Sequence, residues 1–99
     1  MKLWKIAHAR SGDKGNISNI SLIVYDKSNY NLIKEKVTEK RVKQWFGDVV
    51  KGAVKRYELP QLGALNFVLY DALDGGVTNS TLLDKHRKTL SSYLIEMDI

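Results

Sequence analysis

Cysteine is absent from this 99-residue chain. Disulfides, thiolate nucleophiles and zinc–cysteine sites are therefore excluded. Proline occurs once, at Pro60, and histidine twice, at His8 and His86. Two distant histidines form no metal-ligand spacing, and Asp71 and Asp74 lack a third ligand nearby in sequence, so neither a metal site nor a cofactor is expected. No apolar run approaches the roughly 18 residues that cross a bilayer. The opening MKLWKIAHARSGDKG interrupts its apolar residues with Lys5 and His8, which predicts no secretory signal. A soluble, cytoplasmic protein is the expectation.

What is present is ordinary globular material, 43% apolar and 27% charged, rather than the composition of a disordered tail. Residues 1–99 suffice for a single domain with one core. The net charge of +5 is concentrated: Lys34 to Arg56 holds eight basic and three acidic residues, which accounts for all of it. Such a segment suits nucleic acid, an acidic membrane or an anionic cofactor. It suits a solvated helix face better. Lysines alternate with Glu35 and Glu39, and a nucleic-acid surface wants more arginine and stacking aromatics. A nucleic-acid-binding module is thus the least favoured reading.

Period-two alternation predicts strands over 2–9, with Trp4, Ile6 and His8 on one face, and over 17–25, with Ile20, Leu22 and Val24 on one face and Ile17, Ile23 and Tyr25 on the other. Both faces of the second strand are expected to be partly covered. The two strands are expected to pair antiparallel through a polar connection, residues 10–16, longer than a hairpin requires. Ser28–Asn29 offers a cap for a helix carrying Tyr30, Ile33 and Val37. Thr38 caps a second helix, where Val42, Trp45, Phe46, Val49 and Val50 recur at helical spacing. Gly47 marks a break in it, and Gly52 its end. A third strand spans 53–59 and is closed by Pro60. Residues 64–70 have strand composition, but Leu62, Leu65 and Leu69 keep a helical period, and a helix is the reading adopted. Gly75–Gly76 then turns into a strand over 77–83, and Asp84 caps a final helix to Glu96 with Leu90, Leu94 and Met97 inward. The order β-β-α-α-β-α-β-α predicts an α+β two-layer sandwich of ferredoxin-like type, with a mainly antiparallel or mixed sheet of about four strands packed against helices.

Chemistry concentrates in His8-Ala9-Arg10-Ser11-Gly12-Asp13-Lys14-Gly15-Asn16. Glycines let successive backbone N–H groups converge on an anion. Arg10 offers a bidentate fork, Lys14 a point charge and Ser11 a neutral donor. Asp13 orients the turn or a cation rather than touching the anion. The spacing is not that of a phosphate-binding P-loop, since the lysine precedes its glycine. Ser11–Lys14 has the S-x-x-K form, but flanking glycines disfavour the helix that motif needs. The ligand-binding candidates are Arg10, Ser11, Gly12, Lys14, Gly15 and Asn16. Asn66, Gly75, Gly76 and Asn79 are outer members, joined if the strand ends coincide. His8, Asp13 and Lys14 are the proton-transfer candidates.

Three stretches read together resemble a known family: HARSGDKGNISNI (8–20), VKRYELPQLGALNFVLYDAL (54–73) and GGVTNSTLLD (75–84), with the closing Met97-Asp98-Ile99. They look like the AtuA-like C-terminal domain of the acyclic terpene utilisation AtuA proteins, here in stand-alone form. The resemblance implies a ferredoxin-like fold and an association with acyl-CoA catabolism of terpene or branched-chain type. It implies a complex with a separately encoded larger AtuA-type subunit and a CoA-type or carboxylate ligand, whereas small size and apolar residues on both faces of the second strand predict a homo-oligomer. It transfers no catalytic residue set. The family pattern carries an arginine after its threonine, where this chain has Asn79. The expected function is an accessory or interaction subunit. The alternative is a composite active site shared with a partner or between protomers.

Overall fold

The burial alternation of residues 17–24 decides the architecture. Ser18, Ile20, Leu22 and Val24 are buried while Ile17 and Asn19 are exposed, so one face of this strand meets a core and the other does not. A computed structural model of the chain describes residues 1–14, 17–72 and 90–99. Strands β1 (Ala7–Lys14), β2 (Ile17–Val24), β3 (Val54–Leu59) and β4 (Ala64–Tyr70) form one antiparallel sheet in the order β1-β2-β4-β3. Helices α1 (Tyr30–Lys36), α2 (Glu39–Phe46) and α3 (Leu90–Leu94) supply the second layer. The fold is an α+β two-layer sandwich consistent with the ferredoxin-like class.

The inward register sets Ile20 against Phe67 and Leu22 against Leu65, all fully buried. Ile33 of α1, Val42 and Phe46 of α2 and Leu94 of α3 close over them. Trp45 packs at the edge of this core; its indole Nε1 donates to the Tyr93 carbonyl at 2.9 Å and its ring stacks on Tyr93 at 5.1 Å. Thr38 caps α2 by accepting from the Arg41 N–H. The termini are tied together: Leu3 and Trp4 N–H donate to the Met97 and Ile95 carbonyls.

Several expectations are corrected. The first strand starts at Ala7, because Leu3–Lys5 is a 3-10 turn that leaves Trp4 exposed. The connection 10–16 is mostly strand: β1 runs to Lys14, which pairs with Ile17. Residues 64–70 are β4, not a helix. Both β2 and β3 were available to pair with it, and alternation buries Leu65, Phe67 and Leu69 together. Its hairpin with β3 turns at Gly63, whose φ of 61° is a left-handed conformation that suits glycine. The cap near α1 is Asp26, accepting from the Ser28 N–H, while Asn29 makes no side-chain cap. Helix α2 ends at Gly47, φ 56°, not at Gly52. On the outer face of β2, Ile17 is exposed while Ser21 and Ile23 are half-buried, so that face is partly covered as expected. The expected strand 77–83, the Gly75–Gly76 turn and the helix start at Asp84 lie outside the described residues.

Candidate functional site

Strand alternation divides the predicted cluster between two faces. Arg10 pairs with Ser21 and Gly12 with Asn19, on the outward face. Ser11 pairs with the buried Ile20, on the helix side, where its hydroxyl donates to Ser91 Oγ at 3.2 Å. Ser11 therefore does not share a face with Arg10. Asp13 occupies the register of the buried Ser18, and Lys14 that of Ile17. Ser18 Oγ donates to the Gly12 carbonyl at 3.3 Å. Gly12 lies in a paired strand with the Asn19 side chain beside it. Gly15, Asn16, Gly75, Gly76, Asn79 and His86 lie outside the described residues.

Asn66, by contrast, joins Arg10. It pairs with Ser21 from the far side, and its Nδ2 donates to Ser21 Oγ at 3.0 Å. On β3, Tyr57 completes the row. Arg10, Ser21, Asn66 and Tyr57 thus cross the whole sheet on its outward face. At a strand spacing of about 4.8 Å, Arg10 and Asn66 stand roughly 10 Å apart. That distance leaves room for a carboxylate or phosphate above Ser21. His8, two positions before Arg10 on the same face, is half-buried and stacks on Tyr25 at 5.3 Å with 22° between the rings.

Arg10 differs from the other described arginines. Arg56 donates to the Lys34 and Val37 carbonyls at 2.7 and 2.9 Å. Arg41 donates to the Lys36 and Asp98 carbonyls at 3.0 and 2.6 Å. Lys43 donates to the carbonyls of Val50 and Gly52. Three cations of the basic segment thus tie chain segments together. Arg10 is exposed and makes no hydrogen bond or ion pair with any described residue. A hollow of about 310 Å³ on the helix layer, lined by Arg41, Gln44, Trp45, Met97 and Asp98, offers only an arginine already engaged. Among the described residues no three His, Asp or Glu side chains gather as metal ligands.

The family comparison bears on the whole chain. The model of the AtuA ferredoxin-like domain family matches residues 1–99. The chain belongs to this family. No curated protein and no solved structure matches it. Membership places Arg10, Asn66 and Ser21 within an AtuA ferredoxin-like domain. Ser21, Asn19 and Tyr57 were missed in the sequence because their common face appears only once 64–70 is a strand; the run Asn66-Phe67-Val68-Leu69 carried that signal in its alternation. Among the described residues no helix is long and apolar enough to cross a membrane.

Proposed function

We propose that this AtuA ferredoxin-like chain is an accessory subunit of acyl-CoA catabolism, of terpene or branched-chain type. It works in the cytoplasm with a separately encoded larger AtuA-type subunit and recognises an anionic group at Arg10. The observation that carries the reading is the unengaged guanidinium of Arg10, exposed beside the Ser21–Asn66 hydrogen bond, while Arg41 and Arg56 are held by carbonyls. An exposed arginine beside neutral polar groups is equipped to take a carboxylate or phosphate. A hydrogen bond to a charged group is worth about 1.5–3 kcal/mol. Calorimetric titration of the chain, alone and with the larger subunit, with CoA, acyl-CoA and small dicarboxylates tests it. Arg10→Ala should weaken the anion roughly ten-fold to a hundred-fold. Absence of binding by wild type in both settings would remove the ligand reading.

The second reading is a composite active site completed by the partner. His8 favours it, being half-buried on the face of Arg10 and backed by Tyr25, as a proton-transfer group near a bound anion requires. Lys14 and Asp13 remain candidates by their place in β1. A bell-shaped rate profile of the assembled complex, losing one limb in His8→Gln, would support that role.

A further inference from the structure

Among the described residues the outward registers of the four strands carry Arg10, Lys14 and Lys55 as cations and no aspartate or glutamate. Asp13 falls in the register of Ser18, and Glu58 in that of the buried Leu65 on the other side. Glu58 is further engaged by Lys34 and Arg56 there. The same outward face exposes large apolar groups: Ile17 at 41%, Tyr57 at 54% and Leu59 at 38%. Amides and a hydroxyl, Asn19, Asn66 and Ser21, lie between them. Burial follows the same division. The helix-side apolar residues of β2 and β4 belong to the core cluster, whereas Ile17, Tyr57 and Leu59 do not.

We infer that this outward sheet face is a docking surface for a different protein chain whose contact area is acidic around an apolar patch. The inference rests on the accessory-subunit reading above and adds the place and the charge of the contact. Charge complementarity selects the occupant. A second copy stacked face to face forms an isologous contact, which must supply its own counter-charges. Among the described residues this face has none to supply, so its cations would meet only like charge. A single-stranded nucleic acid needs a track of cations along its backbone. Here the cations are few and widely separated among aliphatic side chains, and Arg41, Lys43 and Arg56 are engaged on the helix layer. An acidic protein surface satisfies both components: apolar contact with Ile17 and Tyr57, and carboxylates for Arg10 and Lys55. Complementary charge of this kind governs partner choice and encounter rate.

The probe is the larger AtuA-type subunit, purified separately and titrated into the full chain. Amide shifts are mapped by NMR, and affinity is measured at about 50 and about 300 mM salt. Shifts should centre on β2, β3 and β4, and affinity should fall as salt rises. Arg10→Glu combined with Lys55→Glu should weaken association at least about ten-fold, while Lys40→Glu on the exposed side of α2 should change it less than about two-fold. Unchanged melting curves for the variants exclude unfolding as the cause. Binding that maps to the helix layer overturns the inference and leaves the accessory-subunit reading standing. Absence of binding overturns both. Self-association of the chain alone that is lost in Tyr57→Asp, or tight binding of a mixed-sequence single-stranded oligonucleotide to this face, also overturns it.

Discussion

Asn66 Nδ2 donates to Ser21 Oγ at 3.0 Å across the β2–β4 pairing, in the outward row that begins at Arg10. Both residues are half-buried, so the bond is partly shielded from water. A neutral hydrogen bond of this kind contributes about 0.5–1.5 kcal/mol net. A double-mutant cycle of Ser21→Ala and Asn66→Ala should return a coupling energy in that range from denaturant unfolding. Strictly additive losses would show that the two side chains do not act together.

The second prediction concerns the helix layer. Phe46 is 3% exposed, and Trp45 lies beside the core and bonds to Tyr93. Phe46→Ala should cost about 3–5 kcal/mol. Trp45→Phe should cost less, since it keeps stacking area on Tyr93 and loses the indole N–H bond, worth about 1 kcal/mol. Near-wild-type melting of Phe46→Ala would contradict the packing of α2.

How much was legible in the sequence depends on how many neighbours each segment needed. Thr38 and the Val42–Phe46 stripe specify α2 locally, and the helix forms where they place it. The Ile20, Leu22, Val24 alternation likewise appears as written. Residues 64–70 fit both periods, as short apolar runs do. The deciding fact is non-local: β2 and β3 flank the segment and pair with it along both edges. The run from Arg10 to Lys14 looked like a loop because glycine and charges concentrate there. The pairing with β2 is sustained through it nonetheless, and glycine only weakens a strand. The candidate residues therefore lie on two faces of a sheet rather than in a loop: Arg10 and Asn66 share the outward face, and Ser11 turns to the helix layer.

Tyr30 presents a different case. Its ring is buried at 7% exposure, and its hydroxyl is shielded from solvent without a hydrogen-bond partner among the described residues. A buried, unsatisfied polar atom costs about 1–3 kcal/mol. Tyr30→Phe removes that atom and keeps the ring. It should leave stability unchanged or raise it by up to about 1 kcal/mol. A clear loss of stability in thermal melts would mean that the hydroxyl has a partner in solution.

Asp26 links stability to acid. The Ser28 backbone N–H donates to its Oδ1 at 2.9 Å. That bond, with a smaller one from the Ser28 side chain, holds the carboxyl below its ordinary value of 3.8. A group depressed in the folded state stabilises it fully above the unfolded pKa, and the contribution is lost as pH falls through the folded pKa. The benefit should be whole above about pH 5 and fade below about pH 4. Asp26→Asn should melt lower than wild type at neutrality, and the gap should close as the buffer is acidified through that window. A gap that stays constant across it would show that the turn does not depend on the carboxylate charge.

Two glycines, Gly12 and Gly52, make opposite forecasts. A Cβ built on Gly12 would come no closer than 3.4 Å to the Asn19 side chain, an ordinary contact. Gly12→Ala should therefore be neutral or stabilise by about 0.4–1 kcal/mol, through the reduced freedom of the unfolded chain. On Gly52 the same Cβ would meet the Tyr70 carbonyl oxygen at 2.6 Å. The Gly52 N–H donates to that oxygen at 2.9 Å, so the backbones are held close and neither can retreat without losing the bond. Gly52→Ala should cost about 1–3 kcal/mol, as overpacking does. The pair also tests the character of the site. If residues 10–16 formed a glycine nest around an anion, Gly12→Ala would weaken ligand binding by closing it. In a sheet with Arg10 and Asn66 on its outward face, Gly12→Ala leaves binding intact, and Arg10→Ala weakens it roughly ten-fold to a hundred-fold. Parallel melts and titrations of the three variants distinguish these outcomes. Loss of binding in Gly12→Ala with unchanged stability would restore the loop as the site.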